Sequence, residues 1–240
     1  MKKVILFDLD GTLLPMNQNE FTKAYFYALL NKLAELGLPA QTQEEQQILA
    51  SAIWAGTDAM IRNDGTMTNE ERFFLDFSTI IGKDISYLRP QLDGFYQNEF
   101  NKVSTVCNNN PEIPRIVREL KGKGHRVVVA TSPLFPLAAN ERRLAWAGFS
   151  LSEFEYCTCY EKSHFCKPNI EYYKETLGVL GVSAADCVMV GNDVREDMVA
   201  KELGMDVFLI TDYMLNVENR DINEYPHGSW LDFEEYIKKI

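Results

Sequence analysis

The sequence predicts an α/β protein in which a doubly wound parallel sheet is interrupted, directly after its first strand, by an all-helical block. From about residue 106 onward, short apolar runs alternate with stretches of helical periodicity, the pattern of parallel strand–helix–strand units with right-handed connections. Residues 16–105 show helical periodicity only. A polar, proline-marked segment over 107–114 separates the two patterns. We therefore expect a core domain of residues 1–15 and 106–240 and a helical cap domain of residues 16–105.

The first strand is expected over Val4–Phe7, a run too short for a helix and too continuously apolar for a half-exposed strand. Four helices are expected in the cap domain, three of them opened by a polar capping pair and closed by glycine. Their signals are Asn17 with Glu20 and a stop at Gly37, Thr42 with Glu45 and a stop at Gly56, Thr68 with Glu71 and a stop at Gly82, and, for the fourth helix, an apolar pattern from Tyr87 to Val103.

The core domain alternates strands and helices along the chain. Strands are expected at Arg126–Thr131, Glu155–Cys159, Cys187–Val190 and Val207–Ile210. Helices are expected at Ile113–Lys121, Ala138–Ala147 and Ile170–Leu177, from Asp193 onward, and at Leu231–Ile240. In an open parallel sheet of this kind, ligands bind outside the carboxyl ends of the strands.

Charge and hydropathy exclude several classes of function. The 240 residues include 24 Lys and Arg against 35 Asp and Glu, a net charge of −11 without a basic cluster, so binding to nucleic acid or to an anionic membrane is not expected. No apolar run approaches the roughly 20 residues of a membrane span. The apolar run near the start is shorter than the roughly 7–15 residues of a signal-peptide core. We expect a cytoplasmic protein, a monomer or a homodimer, whose partner is a small molecule.

The five cysteines are expected to be free thiols, because their number is odd and no secretory signal precedes them. Cys157, Cys159, His164 and Cys166 lie within ten residues and are an alternative candidate for a zinc site. Their spacing fits no zinc module, and two of them fall in an expected strand, so buried thiols are the favoured interpretation.

Paired carboxylates follow the first strand. Asp8 and Asp10 are two residues apart, so they share a face if the backbone stays extended, and Gly11 follows them at once. Two such carboxylates repel each other unless a cation or a shared proton stabilises them. Taken alone, the fragment is also compatible with a surface Asp-x-Asp-Gly turn.

Other strand ends carry complementary groups. Thr131 and Ser132 end the second strand and offer hydroxyls suited to a phosphoryl oxygen, although a strand cap before a proline turn has the same composition. Lys167 precedes a proline, which keeps it extended near a helix start, although a lone lysine is usually only solvated. After Gly191, Asp193 and Asp197 are four residues apart and would share a helix face, although Asp193 also suits an N-cap.

The combination of acids, a hydroxyl donor and a lysine at one sheet edge predicts phosphoryl chemistry. Carboxylates without histidine suit Mg²⁺ rather than zinc. Mg²⁺, lysine and threonine together balance the charge of a transferring phosphoryl group. A carboxylate can accept that group covalently, and a second acid can protonate the leaving oxygen and then activate water.

Four segments make the chain resemble the haloacid dehalogenase-like (HAD) superfamily in its phosphatase branch: FDLDGT, VVVATS, KP and GNDVREDM, in this order. The resemblance spans the whole chain. It implies a sheet of order 5-4-1-2-3 with strand one central, a mobile cap inserted after the first segment, Mg²⁺ as cofactor and a small phosphorylated metabolite as substrate. It further implies that Asp8 is the nucleophile and Asp10 the general acid/base.

The resemblance also assigns the binding groups. The residues that would contact the phosphoryl group are Thr12, Thr131, Ser132 and Lys167. The residues that would hold Mg²⁺ are Asp8, Asp10 through its backbone carbonyl, and one or more of Asn192, Asp193 and Asp197. The family's commonest fourth segment has Asp directly after Gly, where this chain has Asn192. We favour Asp193 as the metal ligand, with Asp197 as a second ligand or behind it; the alternative is an Asn192 carbonyl with a larger role for Asp197.

Two other functions remain compatible with these segments. A sugar-phosphate phosphomutase keeps all four, and a binding module could retain the phosphoryl site without turnover. Asp10 argues against the dehalogenases of the superfamily, which resemble this fold but lack the second acid. Substrate selection is expected from the cap, where the candidate residues are Lys23, Arg62, Asn63 and Asp64.

Overall fold

Five strands form one sheet in the computed structural model, which describes residues 3–239. They are β1 (Val4–Phe7), β2 (Arg126–Val129), β3 (Cys187–Gly191), β4 (Asp206–Ile210) and β5 (His227–Gly228). All neighbours are parallel, and their order is β2-β1-β3-β4-β5. β1 therefore lies inside the sheet, with Phe7 opposite Val129 on one side and Val190 on the other.

Eight α-helices surround this sheet or form the inserted block in the described residues. They are α1 (Gln18–Glu35), α2 (Gln43–Ile61), α3 (Asn69–Ile81), α4 (Arg89–Gln97), α5 (Glu112–Gly122), α6 (Leu137–Trp146), α7 (Ile170–Leu180) and α8 (Trp230–Ile237). No helix between residues 3 and 239 has the length and apolar character needed to cross a bilayer. The expected end of the last helix, Ile240, lies outside the described residues.

The sheet has a hydrophobic layer on each face, because side chains alternate along a strand. Ile5 and Phe7 of β1 belong to one buried cluster, in which Phe7 stacks on Trp230 of α8 with ring centroids 5.8 Å apart. Val4 and Leu6 belong to a second cluster on the other face, which includes residues of α7. The doubly wound α/β class is confirmed.

The sheet order agrees with the expected 5-4-1-2-3, except that the third expected strand is reduced. Glu155–Cys159 is not a regular strand: its N-terminal part runs beside β2, and only Cys157 forms a bridge, to Val129. The chain leaves β2 after Thr158, whose N–H donates to the Val129 carbonyl and whose hydroxyl turns to the Thr131 carbonyl at 2.6 Å. β5 was not expected from the sequence, because His227–Gly228 carries no apolar run.

The helix starts of the inserted block agree with the expected caps. Thr42 and Thr68 each form a reciprocal capping box, with Glu45 and Glu71 respectively. Asn17 caps α1 by accepting hydrogen bonds from two N–H groups of the first turn. These side chains satisfy donors that have no partner within the helix.

Gly56 was wrongly expected to end the second helix; α2 continues to Ile61. Gly56 lies where α2 contacts α3, and a Cβ there would approach the Phe73 ring to 2.7 Å. The glycine thus permits close helix packing in the middle of α2 and is not a stop signal.

Two further expected helices are wrong in detail. The helix expected from Tyr87 to Val103 is divided at Asn98, whose amide donates to the Gly94 carbonyl at 2.8 Å and competes with the helical pattern. Short 3₁₀ segments flank α4 over Ser86–Leu88 and Glu99–Val106. Where the helix from Asp193 was expected, Asp193 forms an isolated bridge with Leu215, residues 194–197 form turns, and only a 3₁₀ segment follows, over Met198–Leu203.

The inserted block packs against α6 and the segment before it through aromatic side chains. Phe21 and Tyr25 of α1 contact Phe135, which precedes α6, with ring centroids 6.2 and 4.8 Å apart. Phe100 contacts Trp146 of α6 at 4.9 Å. One buried hydrophobic cluster thus runs from β1 into α1, α2 and α3.

Candidate active site

Asp8 lies directly after β1 and continues its pairing. Its N–H donates to the Val190 carbonyl at 2.9 Å, so the carboxylate is fixed at the carboxyl edge of the sheet. The residue is 8% exposed. Burial raises the pKa of Asp8 to about 7, because the loss of water outweighs the opposing effect of Lys167. The nearby Asp197 and Asp10 carboxylates raise this pKa further.

Lys167 connects two of the predicted acids. Its ammonium donates to Asp8 Oδ1 at 2.9 Å and to Asp197 Oδ1 at 2.6 Å. Burial alone lowers the pKa of Lys167, but the Asp197 and Asp8 carboxylates more than offset this and hold the pKa well above its ordinary value. The lysine is therefore a buried cation at the strand ends, in direct contact with Asp8.

Asp197 uses both carboxylate oxygens within the protein. Oδ1 contacts Lys167, and Oδ2 accepts the N–H of Asp193 at 2.9 Å. The residue is 1% exposed and packs on Gly191, where a Cβ would overlap the carboxylate. Gly191 is thus required for space, and Asp197 ties Lys167 to the loop after β3.

Asp193 is half-buried at the start of this loop. Its Oδ1 accepts the N–H groups of Arg195 and Glu196 at 2.8 and 2.9 Å. These contacts hold the turn that replaces the expected helix start. Burial raises the pKa of Asp193, against the opposing effect of these N–H donors.

Thr12 and Asn192 contact each other directly. The Thr12 hydroxyl donates to Asn192 Oδ1 at 3.0 Å, and Asn192 Nδ2 donates to the Tyr213 carbonyl at 2.7 Å. Gly11, with φ +83°, lies directly against the Asn192 amide. The Asn192 side chain therefore fastens the loop after β3 to the loop after β1 through Thr12, and to the segment after β4 through Tyr213.

Thr131 and Ser132 follow the end of β2. The Thr131 carbonyl accepts hydrogen bonds from the Thr158 and Tyr172 hydroxyls at 2.6 and 3.1 Å. The centroid of the Tyr172 ring lies 5.9 Å from the Lys167 ammonium. Thr131 is therefore close to Lys167 and the acids that it contacts. Thr131 is buried and Ser132 is half-buried.

Asp10 contacts Arg143, which the sequence analysis did not single out. The Arg143 guanidinium of α6 forms an ion pair with Asp10 Oδ2, and its side chain is fully buried. An arginine on an amphipathic helix normally lies in solvent, so no local signal identified this residue. Glu196 was also missed; burial raises its pKa to about 8, although Lys167 opposes this.

The candidate zinc side chains have different partners. His164 Nδ1 lies 2.6 Å from Glu175 Oε1, and the Cys157 thiol contacts the Asn140 amide. Among residues 3–239, no group of three or more His, Cys, Asp and Glu side chains is arranged to hold a metal ion.

The candidate cap residues differ in accessibility. Lys23, Arg62 and Asp64 are exposed, and Arg62 pairs with Asp58 of its own helix. Asn63 is buried; its Nδ2 donates to Asn69 Oδ1 at 2.9 Å. Asn69 in turn donates to the Pro133 carbonyl at 3.2 Å, directly after Ser132. Asn63 is thus part of the contact between the block and the end of β2.

The arrangement of Asp8, Lys167 and Asp197 at the sheet edge agrees with the match of this sequence to a known protein family. The family model described as haloacid dehalogenase-like hydrolase matches residues 2–204. The chain belongs to the haloacid dehalogenase-like hydrolase family. The resemblance inferred from the four segments is therefore confirmed.

Two curated proteins resemble the chain over nearly its full length. The glyceraldehyde 3-phosphate phosphatase of Methanothermobacter thermautotrophicus is 24% identical over 226 residues, covering 93% of this chain and 92% of that protein. The glyceraldehyde 3-phosphate phosphatase of Methanocaldococcus jannaschii is 25% identical over 244 residues, covering 100% and 99%. These relatives confirm that the chain is a HAD-type hydrolase of the phosphatase branch.

Solved structures of the family share the fold. The crystal structure of a HAD phosphatase from Thermococcus onnurineus has a TM-score of 0.59 at 20% identity, covering 100% of this chain and 98% of that one. At this identity the likeness concerns the fold alone.

Proposed function

We propose that this chain is a Mg²⁺-dependent phosphatase that hydrolyses a small phosphate monoester through a phosphorylated Asp8. The observation that carries the proposal is the arrangement of Asp8: it is buried at the end of the inner strand β1, and one carboxylate oxygen is held by Lys167 at 2.9 Å. Asp10, two residues later, supplies the second acid that the acid/base step requires.

In the first step, an Asp8 carboxylate oxygen attacks the phosphorus atom of the ester. A bond forms between phosphorus and Asp8 while the bond from phosphorus to the alcohol oxygen breaks, and its electron pair goes to that oxygen. Asp10 gives a proton to the departing alcohol. The Lys167 ammonium balances negative charge at Asp8 and on the phosphoryl oxygens.

In the second step, water attacks the phosphorus atom of the phosphorylated Asp8. Asp10, now deprotonated, takes a proton from this water. The bond between phosphorus and Asp8 breaks, inorganic phosphate leaves, and both carboxyl groups return to their starting states. Thr131, with Ser132 as a further donor, would bind phosphoryl oxygens during both steps, whereas the Thr12 hydroxyl already donates to Asn192 Oδ1.

The residues at the site fit Mg²⁺. Asp8 is a carboxyl whose pKa is raised by burial and by neighbouring acids, so a divalent cation would favour its charged form. Asp8, the Asp10 carbonyl and Asp193 would hold the ion, a set with only two carboxylates, in line with the preference of Mg²⁺ for retaining water ligands. When bound, Mg²⁺ supplies positive charge for the phosphoryl group.

Asp197 and Asn192 suit a supporting role in this proposal. Both oxygens of Asp197 and both ends of the Asn192 amide already bond protein groups.

Replacing Asp193 by Ala should therefore raise the Mg²⁺ concentration needed for half-maximal activity, whereas Asn192→Ala should act mainly on stability. Unchanged Mg²⁺ dependence in Asp193→Ala would contradict the choice of ligand.

For the substrate, we propose a small phosphorylated sugar. The support is the match to two glyceraldehyde 3-phosphate phosphatases over at least 92% of each chain. A panel of sugar phosphates that includes glyceraldehyde 3-phosphate, assayed by phosphate release, would rank candidates. The cap side chains are expected to decide among them.

The central experiment is hydrolysis of p-nitrophenyl phosphate with Mg²⁺. The wild-type protein should release p-nitrophenol, and Asp8→Asn should abolish the reaction while the protein remains folded. An active Asp8→Asn protein would end the proposal. Isomerisation of a hexose phosphate with little release of inorganic phosphate would instead indicate a phosphomutase.

A further inference from the structure

The Arg143 side chain is a buried cation outside the four family segments. It projects from α6 with 0% exposure and forms an ion pair with Asp10 Oδ2. Arginine is almost never fully buried unless it is paired, because removing its charge from water is costly. Its position therefore depends on Asp10, and that of Asp10 depends on it.

The guanidinium is fixed by more than this ion pair. A second terminal nitrogen donates to Asn140 Oδ1, and Asn140 Nδ2 donates in turn to the Thr158 carbonyl at 2.8 Å. The Phe135 ring lies against the guanidinium, with its centroid 4.1 Å from the central carbon. Asn140 and Phe135 thus prevent the arginine from changing its orientation relative to Asp10.

The two oxygens of Asp10 are in different situations. Oδ2 is held by Arg143, whereas Oδ1 is buried and has no hydrogen-bond partner within residues 3–239. A buried carboxylate oxygen without a partner is costly unless another molecule uses it. The arrangement leaves Oδ1 as the oxygen that can exchange a proton with substrate or water.

We propose that Arg143 is a positioning residue for the acid/base: by holding Oδ2 it presents Oδ1 of Asp10 to the leaving alcohol. The proposal rests on the proposed phosphatase function. The proton on Oδ1 moves to the alcohol oxygen as the phosphorus–oxygen electron pair moves to the same atom, and Arg143 keeps all its protons. Because its guanidinium is already engaged by Asp10, Asn140 and the Phe135 ring, Arg143 acts through Asp10 and not on the substrate.

This role affects only leaving groups that need a proton. An alkoxide is a poor leaving group and depends on general acid catalysis, whereas 2,4-dinitrophenolate departs without protonation. Since kcat/KM reports the steps up to loss of the alcohol, the later hydrolysis of phosphorylated Asp8 does not affect the comparison. Loss of general acid catalysis typically costs about 10²–10⁴-fold.

The test compares kcat/KM for ethyl phosphate and 2,4-dinitrophenyl phosphate in Arg143→Met and Arg143→Lys, with Mg²⁺ present. Both variants should lose about 100-fold or more on ethyl phosphate and less than about 10-fold on 2,4-dinitrophenyl phosphate. Asp10→Asn should show the same selectivity. In the Asp10→Asn background, adding Arg143→Met should cause little further loss on ethyl phosphate.

Arg142→Met is the matched control, because it makes the same change one position earlier on α6. It should leave both kcat/KM values within about twofold of wild type. An equal loss on both substrates in folded Arg143 variants would show a merely structural role and overturn the proposal, as would no loss on either. If Arg143→Met does not fold, Arg143→Lys decides by the same ratio. Failure of the proposed function is distinct: wild type would then hydrolyse neither ester.

Discussion

At the scale of single residues, the electrostatics of Asp8 predict a stability that depends on pH. Its folded-state pKa of about 7 lies above the unfolded value of 3.8, so the folded protein binds more protons between these values. Stability from the neutral carboxyl is complete below pH 3.8 and is lost as the pH rises through 7. The total effect is on the order of a few kcal/mol.

In metal-free protein, Asp8→Asn should therefore be more stable than wild type at pH 8, and the difference should shrink at pH 5. Urea unfolding in the presence of a chelator, at both pH values, measures this. Asp10→Asn serves as a comparison at the next acid. A difference between Asp8→Asn and wild type that is the same at pH 5 and pH 8 would show that Asp8 is ionised throughout.

Gly191 makes a second prediction at this scale. A Cβ there would overlap the carboxylate of Asp197, which holds Lys167 at 2.6 Å. Gly191→Ala should thus displace both side chains, lowering stability by about 1–3 kcal/mol as overpacking does, and lowering phosphatase activity at least tenfold. Phosphate release and thermal unfolding measure the two effects.

Gly178 provides the control for Gly191→Ala. It lies within α7, and nothing approaches a Cβ at this position within 4 Å. Gly178→Ala should therefore stabilise the protein by about 0.5–1 kcal/mol, because alanine loses less backbone entropy in a helix. Wild-type activity in Gly191→Ala would mean that Asp197 can move without disturbing Lys167.

At the scale of secondary-structure elements, the close contact between α2 and α3 depends on Gly56. Because glycine has no Cβ, the Phe73 ring can lie against this position. A Cβ at residue 56 would come within 2.7 Å of that ring. Gly56→Ala should destabilise the protein by about 1–3 kcal/mol despite the better helix propensity of alanine. Gly94→Ala in α4, where a Cβ meets nothing within 4 Å, should have the opposite sign. Equal Tm changes in the two variants would contradict this interpretation of Gly56.

Elements were predictable where local chemistry decides them. β1 is a continuous apolar run, and the capping boxes at Thr42 and Thr68 are local hydrogen bonds. Gly56 could not be interpreted from the sequence, because its role lies in a contact with Phe73 on another helix. The helix expected from Asp193 does not form, because the Asp193 and Asp197 carboxylates accept hydrogen bonds from backbone N–H groups and stabilise turns instead.

The site was predictable to a similar extent. The contact of Lys167 with Asp8 follows from the family resemblance and from placing their segments at the same sheet edge. Arg143 could not be found, because its partner is 133 residues away in sequence and its helix offers no cue to its burial. Long-range pairs of buried charges are visible only once the fold is known.

At the scale of the whole molecule, the inserted block and the sheet share one hydrophobic cluster. Ile5 and Phe7 of β1 and Phe77 of α3 all belong to it, and Phe100 of the block packs on Trp146 at 4.9 Å. A cap that opens over a catalytic site must break part of such a contact without unfolding. The extent of the shared cluster argues that block and core unfold as one cooperative unit.

The three tryptophans allow this to be tested, since Trp54 lies in α2 of the block and Trp230 in α8 of the core. Two reporter proteins, one keeping only Trp54 and one keeping only Trp230, should show the same thermal midpoint by fluorescence. Phe100→Ala should lower the free energy of unfolding by about 3–5 kcal/mol, as the loss of a buried phenylalanine does. Both thermal midpoints should then fall together. If the Trp54 signal alone moved to lower temperature, the block would be an independent folding unit. Coincident transitions would mean that a substitution in the inserted block also changes the stability of the catalytic core. The activities of variants made to alter specificity should therefore be compared at an equal fraction of folded protein.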